Sequence, residues 1–253
     1  MKLISLNTWG GRVGLKVLFN FFVAHKDADI FCLQEIWNGG KHLVDKEGKP
    51  LRNIIHELYK EISNALENHQ GYFRPHFLEF YGLAIFIKKD FRVVEEGDLF
   101  VYKTRDYIPE SKISKKAGNH ARNMQYITID TSTGKRTILN LHGIWTGGGK
   151  EDTEDRLEQT DRIINFIKNI SHPYVLCGDF NLLPSTESLK RFEKFGLQNL
   201  ILEYKISSTR THLYPKEEKF ADYVFVSRGI AVNEFKILPD IISDHSPLYL
   251  DFN

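Results

Sequence analysis

The chain has 253 residues, with 42% hydrophobic and 26% charged residues and a formal net charge of +1. That length and ordinary composition suit a globular chain that buries a large core without staples. A near-zero net charge argues against tight, nonspecific tracking along nucleic acid, which calls for a strong basic excess.

The pattern along the chain alternates short apolar strands with amphipathic helices. Strands are predicted near 2–7, 29–33, 83–88, 91–100, 122–130, 136–142, 173–178, 208–213, 221–227, 233–238 and 246–251. Apolar residues at helical spacing predict helices over 13–25 (Val13, Val17, Leu18, Phe21, Phe22), 51–67 (Leu51, Ile54, Ile55, Leu58, Ile62, Leu66) and 153–169 (Leu157, Ile163, Ile164, Ile167). A fourth helix, 186–195, follows Ser185 as expected N-cap, with Pro184 before it. Hairpin turns are expected at Lys89-Asp90 and at Ser132-Thr133-Gly134-Lys135. So many strands overfill one open sheet, and two packed sheets covered by helices is the economical arrangement. With no repeat, low-complexity segment or Pro/Gly-rich linker, residues 1–253 are expected to form one domain.

Cys32 and Cys177 each sit in an apolar strand-like run and read as small core residues, not as a disulfide pair. No signal peptide and no membrane-length apolar run are evident, so the expected setting is a reducing cytoplasm. Asn169-Ile170-Ser171 matches a glycosylation acceptor that such a setting leaves unused. The stretch 102–120 carries Lys103, Arg105, Lys112, Lys115, Lys116 and His120 and reads as a basic surface loop.

Four segments share one design, an apolar strand ending in polar residues that bind metal or move protons. They are Leu6-Asn7-Thr8-Trp9, Leu33-Gln34-Glu35, Gly178-Asp179-Phe180-Asn181 and Ser243-Asp244-His245-Ser246. Each alone is a weak signal, and a turn former or rim carboxylate would look the same. Their joint occurrence at strand ends points to one cleft. In this order, with Asn140-Leu141-His142, Ala221-Asp222-Tyr223-Val224-Phe225 and Gly82-Leu83-Ala84-Ile85, they resemble the endonuclease/exonuclease/phosphatase superfamily, the DNase I-like fold. The resemblance runs from Asn7 to His245.

The resemblance implies a four-layer α/β/β/α sandwich, with two mixed β-sheets face to face and helices outside. It also implies a divalent-metal-dependent hydrolase of phosphate esters. Attack on such an ester builds negative charge on phosphoryl and leaving oxygens, so catalysis is chiefly positioning and charge neutralisation. Mg²⁺ or Mn²⁺ fits the oxygen-rich side chains. Carried over from the family, Glu35, Asn7 and Asp244 bind metal. Asp179 is the general base, Asn181 steers water or phosphate, and His245 with its partner Asp222 neutralises charge or moves a proton. His142 donates to the scissile phosphate, and Arg122 contacts substrate. DNase I pairs the matching His with a Glu on the middle strand; here that stretch reads Gly82-Leu83, though Glu79 is near in sequence. Arg156 resembles a family arginine with a packing role, and Trp9, Trp37 and Trp145 follow motif segments as sheet caps or stacking surfaces.

The expected partner is a phosphate-ester substrate, nucleic acid among the candidates, met by a monomer without a membrane span. The rival readings are a nuclease or repair phosphodiesterase acting on DNA ends, and a catalytically silent binding protein of the same fold. The second would show as broken motifs, and the set is intact.

Overall fold

The computed structural model describes residues 1–44, 48–49, 51, 53–105, 107 and 120–253. The basic residues Lys112, Lys115 and Lys116 lie outside them. Twelve strands are formed among the described residues. In chain order they are β1 (Lys2–Asn7), β2 (Ile30–Trp37), β3 (His69–Phe77), β4 (Tyr81–Lys88), β5 (Arg92–Tyr102), β6 (Arg122–Thr131), β7 (Gly134–His142), β8 (Tyr174–Asp179), β9 (Gln198–Asn199), β10 (Asp222–Val226), β11 (Val232–Ile237) and β12 (Leu248–Phe252). The helices are α1 (Leu15–Ala24), α2 (Leu58–Ala65), α3 (Glu154–Ile167), α4 (Glu187–Lys194) and α5 (Leu200–Glu203).

One six-stranded sheet has the order β11-β12-β1-β2-β4-β3, and the other β5-β6-β7-β8-β10-β9. Parallel pairs occur where a helix intervenes, β1 with β2 across α1 and β7 with β8 across α3. The other pairs are antiparallel. Leu3, Ile30, Cys32 and Ile85 of the first sheet meet Met124, Ile127, Leu139 and Cys177 of the second in one buried cluster, to which α3 and α4 add Ile163, Ile167, Leu189 and Phe192. A second cluster packs Ile4, Leu6, Phe31 and Phe86 under Leu18, Phe22, Leu58 and Ile62 of α1 and α2. This is the expected α/β/β/α sandwich, with both cysteines free in its core.

The structure corrects the local expectations in five places. Lys89-Asp90 does not close a hairpin, because β4 pairs with β3 and β5 belongs to the other sheet; of the two expected turns, the one at 132–135 joins paired strands. The helix expected over 51–67 is confined to Leu58–Ala65. Ile54 and Ile55 satisfy the apolar pattern without helix by packing against Gly10 and Gly11. Residues 208–213 form no strand, only a single bridge from Arg210 to His245. β3 and the short β9 and α5 had no recognised signal. The N-cap of α4 is Thr186 rather than Ser185. The first-turn N–H groups are satisfied from elsewhere: Asp152 accepts from Glu187 N at 2.6 Å and from Ser188 N at 3.0 Å.

Candidate active site

The site is set by register. His142 on β7 lies opposite Asp179 on β8, and Asp179 lies opposite Asp222 on β10, so three polar residues form one row across adjacent strands. The row stands at the strand ends, where the ladder stops and loops begin. Gly178 allows this closeness: its φ is +134°, and a Cβ there would lie 2.1 Å from the Leu141 carbonyl oxygen. Facing the row from the first sheet are Asn7 at the end of β1 and Glu35 in β2. Glu35 sits at a bulge, where the β2–β4 register shifts between Leu33 and Ile36. Its φ of +59° is uncommon for a residue with a side chain and directs it off the ladder.

Asp179 is the hub. Its Oδ2 accepts from Asn7 Nδ2 at 2.9 Å, and its Oδ1 accepts from the Asn181 backbone N–H at 2.9 Å. His142 Nε2 stands 3.8 Å and His245 Nε2 3.7 Å from the same Oδ2. His245 is aimed by Asp222, whose two oxygens each lie 2.9 Å from Nδ1. Asp222 itself is braced by Thr209, which accepts its backbone N–H. Burial raises the Asp222 carboxyl to about 7 against the pull of Arg210 and Lys150. Burial, helped by Arg210, lowers His245 to about 4 against Asp179 and Asp244. Burial thus disfavours the charged form of each group, and the 2.9 Å contact between them offsets that cost.

The expected metal residues are gathered, with two qualifications of role. Glu35 is raised to about 7, first by burial, with Asp244 and Asp179 adding to it. Such a knot of acids invites a cation. Asn7 turns its amide nitrogen to Glu35 Oε1 at 3.2 Å and to Asp179, while its oxygen accepts the Trp9 N–H at 2.9 Å. It therefore meets the carboxylates as a donor. Asp244 is bound by Arg210 at 2.9 Å, both side chains being under a tenth exposed. Asp179, Asp222 and His245 also have ligand atoms within 4.8 Å of one another, but Asp222 is already engaged with the imidazole.

Arg122 and His142 are both buried, and a guanidinium nitrogen lies 3.2 Å from His142 Nδ1. The partner found at His142 Nδ1 is therefore Arg122, and Glu79 is exposed at the β3–β4 turn. Burial, Arg122 and the neighbouring histidines push His142 well below the usual imidazole range. Asn181 is buried, with a φ of +55°. Arg156 donates to the Gly149 and Ile144 carbonyls and orders the loop after β7. Trp37 is buried against Tyr81 and His56, while Trp9 and Trp145 are half-buried.

Sequence reasoning missed Lys150, Arg210, Tyr214, His76 and Tyr81. Lys150 is buried, donates to the Phe220 carbonyl at 2.8 Å, and is lowered to about 8, first by burial and then by Arg210. Arg210 lies over the Tyr214 ring at 4.0 Å. Nothing local marks them: Lys150, Arg210 and Tyr214 reach the site from loops, and His76 and Tyr81 from the facing ends of β3 and β4.

Residues 4–245 match the model of the Endonuclease/Exonuclease/phosphatase family. The chain belongs to that family. The family's members are generally phosphoester hydrolases. Among solved structures of this fold, a family protein from Bacteroides thetaiotaomicron is 23% identical with a TM-score of 0.73, covering 100% of this chain and 97% of that one. A mannosyl-6-phosphatase from the same organism is 21% identical with a TM-score of 0.71, covering 100% and 99%. The human Nocturnin catalytic domain with bound sulfate is 19% identical with a TM-score of 0.66, covering 100% and 93%. No curated protein matches the chain in sequence.

Proposed function

We propose that this family member is a divalent-metal-dependent phosphoesterase in which water attacks phosphorus with Asp179 as general base. The observation that supports it is the convergence on Asp179 Oδ2 of Asn7, His142 and His245, the last held by Asp222. Asn7 fixes the carboxylate while the second oxygen is held by the Asn181 N–H, so the base is oriented before substrate arrives. The two imidazoles flank it and supply N–H donors to phosphoryl oxygens on either side. Asp222 takes up the charge that His245 gains as negative charge develops on the phosphate. The Asn181 amide lies on the same loop, where it donates to a phosphoryl oxygen or steers the water.

Glu35 and Asp244, with Asn7 beside them, are the residues that would hold Mg²⁺ or Mn²⁺. A cation there supplies neutralisation of the phosphoryl and leaving oxygens. The oxygen-rich donor set, and the Glu35 carboxyl raised among other acids, fit such an ion. Arg122 adds positive charge on the opposite flank. The mannosyl-6-phosphatase of this fold makes a small phosphate ester a reasonable first substrate, and a net charge of +1 favours it over long nucleic acid.

The test is turnover of bis-p-nitrophenyl phosphate and p-nitrophenyl phosphate with added Mg²⁺ or Mn²⁺. Activity should vanish in EDTA and return with metal. Asp179→Asn should lose about 10²–10⁴-fold in kcat with an unchanged melting profile. Full turnover in chelator, or near-normal kcat in a folded Asp179→Asn protein, would overturn this reading.

A further inference from the structure

One carboxylate of the proposed metal set is already paired. Arg210 donates through Nη1 to Asp244 Oδ2 at 2.9 Å, and both side chains are under a tenth exposed. The pairing is incomplete on both sides. A guanidinium carries five donors in a fixed fork and holds a carboxylate best through two of them. Here Nη1 makes the bond, while Arg210 Nε is buried with no hydrogen-bond partner among the described residues. Asp244 Oδ1 meets Ser243 Oγ at 3.4 Å and His245 Nε2 at 3.8 Å, both long for hydrogen bonds.

The backbone on either side of Arg210 is pinned to the segment that carries Asp244. Ser246 N donates to the Thr209 carbonyl at 2.9 Å, and Thr211 N donates to the Asp244 carbonyl at 3.1 Å. What can exchange is therefore the side chain. Arg210 also borders a cavity of about 610 Å³, lined in addition by Tyr214, Glu217 and Glu218. A guanidinium leaving Asp244 has room there, with the Tyr214 ring already beneath it at 4.0 Å and two carboxylates to meet.

A buried carboxylate is costly without a positive partner, so Asp244 needs one with or without metal. Arg210 and a divalent cation at the same carboxylate repel each other, so each weakens the hold of the other.

We propose that Arg210 is a displaceable internal cation, which neutralises Asp244 in the metal-free protein and competes with the divalent metal for that carboxylate. This rests on the metal-dependent reading above and adds to it what sets the affinity of the metal site. Arg210 keeps the acidic centre folded without metal, and it makes metal uptake weaker and more reversible than the carboxylates alone would.

The test is Mn²⁺ binding, read from the EPR signal of free Mn²⁺ as chelator-stripped protein is titrated. Arg210→Met keeps a long side chain against Tyr214 and removes the charge. Its Kd for Mn²⁺ should fall about ten-fold or more. A damaged site would bind Mn²⁺ more weakly, so the direction of the change separates competition from a bracing role. Lys150→Met is the control for charge alone. Lys150 Nζ donates to the Phe220 carbonyl at 2.8 Å and acts on Asp179 and Asp222 through space. Its removal should change the Kd far less. An unchanged or raised Kd in folded Arg210→Met, or an equal fall in both variants, overturns the proposal. Should Arg210→Met fail to fold, nitrogen NMR of the unmodified protein decides the matter. The Arg210 guanidinium signals should move on adding Mg²⁺; signals that stay fixed at saturating Mg²⁺ overturn it. Absence of any Mn²⁺ binding by the unmodified protein overturns the metal-dependent reading as well, whereas metal binding that leaves Arg210 unaffected overturns this proposal alone.

Discussion

Asp222 and His245 share a 2.9 Å contact, so they should behave as a unit when altered. His245→Ala should lower kcat far more than it raises KM, because the imidazole matters most as charge develops. Asp222→Asn should act in the same direction by removing the orienting charge. The double variant should lose much less than the product of the single losses, as read from a mutant cycle on kcat/KM at saturating Mg²⁺. Multiplying effects would mean that His245 depends on another partner. Glu35 carries a different prediction. Its folded value of about 7 exceeds the ordinary 4.5, so between those values the folded state binds the extra proton. Metal-free stability from this group is present below about 4.5 and is lost as pH rises through about 7. At about 1.4 kcal/mol per unit the loss is at most about 3 kcal/mol. In EDTA, the melting temperature of Glu35→Gln relative to the unmodified protein should therefore climb between pH 5 and pH 8. A gap independent of pH would show that the carboxyl is not held protonated.

Among the elements, α4 shows how a helix start can be borrowed. Burial pushes the Asp152 carboxyl up, but bonds from Ser188 and Glu187 outweigh this and hold it below its usual range. Asp152→Ala should cost about 1–2 kcal/mol, a fall of about 2–8 °C in melting temperature for a chain of this size. No change would mean that Thr186 caps the helix alone. The sequence could not show this, because Asp152 lies 35 residues upstream of Glu187. Where local pattern governs, elements were legible: β1, β7 and β8 end at the polar residues that marked them. β3 escaped because His-Gln-Gly-Tyr-Phe-Arg-Pro-His-Phe lacks alternation, and as an edge strand it tolerates Pro75. Thr209-Arg210-Thr211 looked like strand, yet Thr209 is spent on the backbone of Ala221 and Asp222, and Arg210 turns inward to Asp244. The site was readable at the residues that end strands. Lys150, Arg210 and His76 were not, since only three-dimensional neighbours give them meaning.

Across the whole molecule, polar side chains join the two sheets beneath the site. Asn140 of β7 donates to the carbonyls of Leu33 on β2 and Ala84 on β4, and accepts from Gln34 at 2.6 Å. Asn140→Leu would remove these bonds, leaving Gln34 Nε2 only the Cys32 carbonyl at 3.1 Å, at about 1–3 kcal/mol for each buried group left unsatisfied. We expect a loss of about 2–5 kcal/mol in urea unfolding, together with a fall in kcat because Gln34 precedes Glu35. Unchanged stability would mean that apolar packing alone registers the sheets. The topology also governs when the protein can begin to work. β12 lies inside its sheet, between β11 and β1, and Phe252 N bonds back to the Met1 carbonyl at 2.9 Å. Asp244 and His245 come immediately before β12. During synthesis β1 and β2 emerge early and wait for a neighbour delivered more than 200 residues later. A ribosome-bound fragment therefore lacks Asp244 and His245 of the proposed reaction centre and exposes an apolar strand edge. Chaperone protection of nascent chains would then matter more than the finished fold suggests, and premature termination leaves no partially competent hydrolase.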